Sequence, residues 1–154
     1  MLGEGAQAPS ALLTDLDGNG VPLEQVTSGG PVLLVFFKIS CPVCQFALPY
    51  LERIRQNENI RILGISQNNA ADTRHFLDSY RIHFPVLLDE AARGYPASNG
   101  FGISQVPSQF QLAPDGLITH AWAGWSKPDM ESLAERAGMP VLHSGEIVPA
   151  LRPG

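Results

Sequence analysis

From Val32 to Phe37 the chain runs Val-Leu-Leu-Val-Phe-Phe with no polar break, the pattern of a strand buried on both faces. Gly29-Gly30-Pro31 sets it off from what precedes. The period then changes. Cys44, Leu48, Leu51 and Ile54 recur at three- and four-residue spacing and predict an amphipathic helix from Pro42 to about Asn57. Pro49 inside it removes a backbone donor, which predicts a kink. A strand follows at Ile60 to Ser66, then a helix whose apolar face carries Thr73, Phe76, Leu77 and Tyr80. Phe84 to Leu88 reads as a short strand and residues 90–97 as a brief helix. Gln109 to Leu112 and Leu117 to Ala123 flank Pro114-Asp115-Gly116, a hairpin turn. The last helix starts at Ser126 with Asp129 completing a capping box. It presents Met130, Leu133, Ala134 and Ala137, and stops at Gly138.

At the other end, Leu12, Leu13 and Leu16, then Asp17-Gly18-Asn19-Gly20, then Val21 and Leu23 predict a hairpin within residues 10–25. Strands alternating with helices, closed by an antiparallel hairpin, predict an α/β fold with a mixed central sheet flanked by helices. With 154 residues, one domain covers the chain, with its core at about 5–138 and an extended tail over 139–154.

Composition narrows the function classes. Apolar residues at 44% and charged residues at 16% describe an ordinary globule. A net charge of −5 without a Lys/Arg cluster argues against a nucleic-acid partner. No apolar run approaches the roughly 20 residues of a membrane span. Met1-Leu2-Gly3-Glu4-Gly5-Ala6 lacks the basic and apolar regions of a secretory leader. The compartment is therefore cytoplasmic as the chain stands, or extracytoplasmic if a leader has been removed.

The only two cysteines stand at Cys41-Pro42-Val43-Cys44, between the buried strand and the first long helix. A Cys-x-x-Cys pair in that place reads as a dithiol that cycles to a disulfide, at the carboxyl end of a central strand. Cys41 falls at the helix N-terminus, where unpaired N–H groups and the helix dipole favour a thiolate. Cys44 falls one turn in, on the apolar face, where desolvation keeps a thiol protonated. Cys41 is thus the expected nucleophile and Cys44 the resolving thiol. Pro42 suits the first helical turn, and Lys38 can add positive charge nearby. A structural disulfide would close too short a loop to stabilise much. Half a zinc site lacks a second pair, and His75, His83, His120 and His143 lack zinc-finger spacing. Two inert core thiols remain as the plain alternative. Val106-Pro107, just before a strand, is an X-Pro bond that a cis form would turn sharply, exposing the Val106 backbone. Phe46 and Trp125 can line a peptide-binding rim, although at helix and strand-end positions ordinary packing is the stronger expectation for both.

Taken together, these residues resemble the thioredoxin superfamily, and within it the TlpA-like branch grouped with alkyl hydroperoxide reductase/thiol-specific antioxidant (AhpC/TSA) domains. The resemblance covers about residues 5–138. It runs through Gly5-Ala6-Gln7-Ala8-Pro9, Asp15-Leu16-Asp17-Gly18, the Cys41–Cys44 motif with Pro49, and Phe84-Pro85-Val86-Leu87-Leu88-Asp89. Gly102-Ile103, Val106-Pro107 and Pro114-Asp115-Gly116 complete it. It implies a thioredoxin-like fold with an N-terminal hairpin extension. It also implies thiol-disulfide oxidoreductase activity at Cys41 and Cys44 with no further cofactor or metal. Pro107 would be cis and face the dithiol. Val106 would pair with a bound peptide as a short added strand, so Pro42, Val43, Val106 and Pro107 are the expected substrate contacts. Protein thiols or disulfides and an upstream redox partner are the implied partners, with the chain a monomer.

Three positions depart from the family pattern. Ser40 replaces a frequent Trp, Val35 a frequent buried Asp or Asn, and Asn68 stands near a frequent Glu. Cys44 is thereby left without a carboxylate base, and its resolving step is expected to be slow. Peroxiredoxins share the fold and are the rival reading, as thiol peroxidases with Cys44 as the peroxidatic cysteine. In their Pro-x-x-x-Thr-x-x-Cys motif, Cys41 would then take the Thr position and Phe37 the Pro position. Their arginine is missing around Gln105-Val106-Pro107.

Overall fold

The structure, a computed structural model, describes residues 1–56 and 59–154. The six-residue apolar run forms strand β3 (Val32–Phe37), and all six side chains are buried, as a strand covered on both faces requires. Around it a seven-stranded sheet assembles in the order β2-β1-β5-β4-β3-β6-β7. The strands are β1 (Leu12–Thr14), β2 (Gly20–Pro22), β4 (Arg61–Ser66), β5 (Val86–Leu88), β6 (Ser108–Leu112) and β7 (Ile118–Ala123). β4 runs parallel to β3 and β5 parallel to β4, while β1, β2, β6 and β7 pair antiparallel with their neighbours. The sheet is mixed, with the strand before Cys41 in its interior between β4 and β6.

Successive β3 residues point to opposite faces, and two cores result. Leu33, Val35 and Phe37 pack under α2 (Pro42–Arg55), the Phe76 side of α3 (Ala70–Tyr80) and the Leu133 side of α5 (Lys127–Ala137). Val32, Leu34 and Phe36 pack under the N-terminal segment, α1 (Leu23–Thr27) and α4 (Pro96–Gly100). Phe36, Phe101 and Phe110 meet there with ring centroids 4.6 to 5.8 Å apart.

The predicted elements are present with local adjustments. Leu23 leaves the predicted hairpin to begin α1 directly after Pro22, and gains a buried site there. The helix from Pro42 runs on through Pro49 to Arg55; Asn57, its predicted end, lies outside the described residues. On α3, Thr73 and Phe76 are buried but Tyr80 is 36% exposed, its ring resting on Phe76 at 4.7 Å. The brief helix predicted at 90–97 is two pieces, a 3₁₀ turn at Ala91–Arg93 and then α4. Gly94 and Tyr95, both at positive φ, break it, and buried Asp89 caps α4 by accepting from the N–H groups of Ala97 and Ser98. Ser126 caps α5, accepting from Asp129 N at 3.3 Å.

Residues 139–154 do not project freely. Val141 is buried against α2 and α5. Two residues near the chain's end, β9 (Leu151–Arg152), pair antiparallel with β8 (Trp125–Ser126).

Candidate functional site

Three segments converge where β3 ends. Cys41 is the N-cap of α2, in extended conformation, and its Sγ accepts from the backbone N–H of Cys44 at 3.2 Å. A sulfur in that position occupies the place an Asp or Ser oxygen takes at an ordinary helix start. It receives one of the helix's unpaired N–H groups and lies at the positive end of the helix dipole. Pro42 occupies the first helical position and is exposed, so no backbone N–H is wasted there.

Cys44 is 0% exposed among Ala47, Leu48 and the β3 side chains. Burial, reinforced by its hydrogen bond with Cys41, pushes the Cys44 thiol well above its usual range. Both cysteines are free thiols in this structure. Two cysteines on one helical turn thus have different surroundings, one partly exposed at a helix end and one fully buried.

The Val106–Pro107 peptide bond is cis. Its loop places the Val106 carbonyl 3.3 Å from Cys41 Sγ, within reach of a hydrogen bond from the thiol. Pro107 is buried and Val106 half-buried. Of the residues predicted to contact a substrate, Pro42 and Val106 border open surface, whereas the Val43 side chain is turned into the core. Phe46 and Trp125 meet edge to face with centroids 4.9 Å apart and Tyr50 beside both, and Trp125 is fully buried, so packing accounts for them. On the other side of Val106 opens a polar cleft of about 240 Å³ bordered by Lys38, Gln67, Ser98 and Gln105.

Two supports were not legible from residue type. Asn68 Oδ1 accepts from Ile39 N at 3.0 Å, and Gln45 Nε2 donates to Ile39 O at 2.9 Å, so both hold the turn that delivers Cys41. Asn68 stands near the position where relatives place an acid, and here its amide is spent on the backbone. Val35 and Ser40 bring no ionisable group either; Val35 is buried and Ser40 exposed. Among the described residues, no group of three or more His, Cys, Asp or Glu side chains is placed to hold a metal ion.

Residues 5–121 match the sequence model of the AhpC/TSA family. The chain belongs to that family. This AhpC/TSA protein is 27% identical over 124 residues to the thiol-disulfide oxidoreductase ResA of Halalkalibacterium halodurans, across 78% of the chain and 68% of that protein. It is 30% identical over 135 residues to the methylamine utilization protein MauD of Methylobacillus flagellatus, across 85% of the chain and 62% of that protein. Among solved structures it superposes on the thioredoxin domain of a thiol-disulfide oxidoreductase from Bacteroides vulgatus with a TM-score of 0.76. That match has 22% identity and covers 88% of this chain and 98% of that one. The peroxidoxin BcpB of Mycobacterium tuberculosis superposes at a TM-score of 0.71 and 21% identity, covering 89% and 94%. The fold is thioredoxin-like, with the N-terminal strand pair β1–β2 added to the sheet edge beyond β5.

Proposed function

We propose that this AhpC/TSA protein is a thiol-disulfide oxidoreductase whose reacting groups are Cys41 and Cys44. One observation carries the reading: Cys41 Sγ caps α2 while facing the backbone carbonyl before a cis proline, at 3.2 and 3.3 Å respectively. That sulfur stands at the helix end with the Val106 backbone beside it, the edge proposed to pair with a peptide. The named relatives that act as thiol-disulfide oxidoreductases support the same reading.

In the reducing direction, the Cys41 thiolate attacks one sulfur of a substrate disulfide. A Cys41–substrate disulfide forms and the other substrate sulfur leaves as a thiolate that takes up a proton. Cys44 then loses its proton to water and attacks Cys41 Sγ. The Cys41–Cys44 disulfide forms, and the second substrate sulfur leaves as a thiol. Two electrons pass from the dithiol to the substrate, and an upstream dithiol restores the protein by the same chemistry reversed. An extended substrate segment would pair with Val106 and cross Pro42. The peroxidase assignment requires Cys44 to meet a peroxide, and the complete burial of that sulfur weighs against it.

Trapping tests the division of labour. Cys44→Ser is expected to accumulate mixed disulfides with a protein substrate, visible as a mass increase that dithiothreitol removes, while Cys41→Ser accumulates none. The reverse pattern, or peroxide consumption by Cys41→Ser, would overturn the assignment.

A further inference from the structure

The segment after α5 returns to the dithiol. It is anchored as it goes: Arg53 Nη1 binds Glu146 Oε1 at 2.6 Å, Trp125 Nε1 donates to Pro149 O at 2.7 Å, and Lys127 N donates to Ala150 O at 2.8 Å. Beyond Ala150 it becomes β9, paired with only two residues of β8. The Arg152 guanidinium lies over the Phe46 ring at 5.2 Å, and Gly154 N donates to Gln105 Oε1 at 2.9 Å.

The end of this path is the peptide-pairing edge itself. A Cβ on Gly154 would collide with the Val106 carbonyl oxygen and stand 2.7 Å from its carbon. The backbone of residue 154 is therefore seated directly against the carbonyl that faces Cys41. The bed beneath is shaped to match: Gly124, at φ +70°, would drive a Cβ into the Arg152 carbonyl and to 3.3 Å from Pro153 Cα. Gly124 N is meanwhile held by Pro107 O at 2.7 Å, which ties the bed to the cis-proline loop.

We propose that residues 151–154 form a strap that occupies the place of a substrate strand at Val106, and so determine which disulfides reach Cys41. The proposal rests on the oxidoreductase reading above. An extended protein segment has to displace the strap before it can pair with Val106, whereas a small disulfide needs only to reach Cys41, a partly exposed residue. Displacement is feasible because the firm anchors end at Ala150. Leu151 is 68% exposed, Pro153 offers no N–H, and Pro153 and Gly154 are both exposed. The partner selected is one that supplies its own strand: a protein with an extended cysteine-bearing segment that replaces the Val106 and Gln105 contacts as it binds.

The test compares two disulfides on the reduced full chain and on a chain lacking residues 151–154, which keeps every anchor up to Ala150. The substrates are insulin, which needs a docked segment, and hydroxyethyl disulfide, which does not. If the strap is open a tenth of the time or less, its removal raises the rate constant for insulin at least about tenfold, as expected when the competent state becomes fully populated. The rate for hydroxyethyl disulfide stays within about twofold, since it needs no displacement. Arg152→Ala, which loosens the strap without shortening it, should move insulin reduction in the same direction by a smaller factor. Equal changes for both substrates, no change for insulin, or slower insulin reduction would each overturn the strap. A wild-type chain inert toward both substrates would instead overturn the oxidoreductase reading, and the strap with it.

Discussion

Cys44 is one helical turn from Cys41, yet the groups that act on its thiol are burial first, then Cys41, then the backbone of Lys38 and of Cys44 itself. No carboxylate is among them. Asn68 holds the Ile39 N–H, and Val35 contributes only a hydrocarbon surface. This has a kinetic consequence. With the thiol pushed up by burial and no acceptor at hand, resolution of a mixed disulfide depends on the small thiolate fraction set by bulk pH. Below its pKa that fraction rises about tenfold per pH unit, so the rate of resolution should rise at nearly that slope between about pH 6 and 9. Stopped-flow release of a fluorescent thiol from a preformed Cys41 mixed disulfide measures it. A plateau near neutrality would reveal a base that the described contacts lack.

The strands are tuned to single residues where neighbours crowd, and β4 shows it at Gly64. A Cβ there would meet Phe84 Cε1 and Val86 Cγ2 at 2.9 Å and Phe37 Cε1 at 3.1 Å. Gly64→Ala should therefore overpack the core beside β3 and destabilise the protein by about 1–3 kcal/mol, read as a lower urea midpoint. An unchanged midpoint would mean that the Phe84 and Phe37 rings yield freely. The same crowding bears on what was legible in advance. β3 was readable to the residue because a strand covered on both faces has no polar position to confuse its limits. The placement of Cys41 and Cys44 was readable because a buried strand meets a helix start at the only two cysteines. The split at residues 90–97 was not, since it depends on Asp89 capping α4 and on Tyr95 taking positive φ. Nor were the roles of Asn68, Gln45 and Gln105, whose partners are backbone atoms set only by the folded loops.

Across the whole molecule, one ion pair ties the tail to the dithiol helix. Glu146 accepts from Nη1 and Nη2 of Arg53 and from His143 N at 2.6 Å, while Arg53 also reaches Val141 O at 3.1 Å. α2 thus carries Cys41 at one end and the anchor of the strap near the other. Local pattern does not disclose this, because residues 139–154 have no helical or strand period of their own. The Arg53 hydrogen bonds, followed by the His143 N–H, hold the Glu146 carboxyl down to about 2 from its usual range near 4.5. The sign follows from which state binds the proton. Below about pH 4.5 the unfolded chain takes up a proton at Glu146 that the folded chain refuses, so the clasp contributes fully above that pH and is lost as pH falls toward 2. Glu146→Gln removes the effect. The stability difference between wild type and Glu146→Gln should be constant above about pH 5 and shrink steadily from there toward pH 2. Urea midpoints across that range decide it: a difference that stays constant down to pH 2 would mean that Glu146 is not clasped in solution. The strap would then rest on Trp125, Lys127, Gln105, the β8–β9 pairing and the Arg152–Phe46 contact, without the clasp.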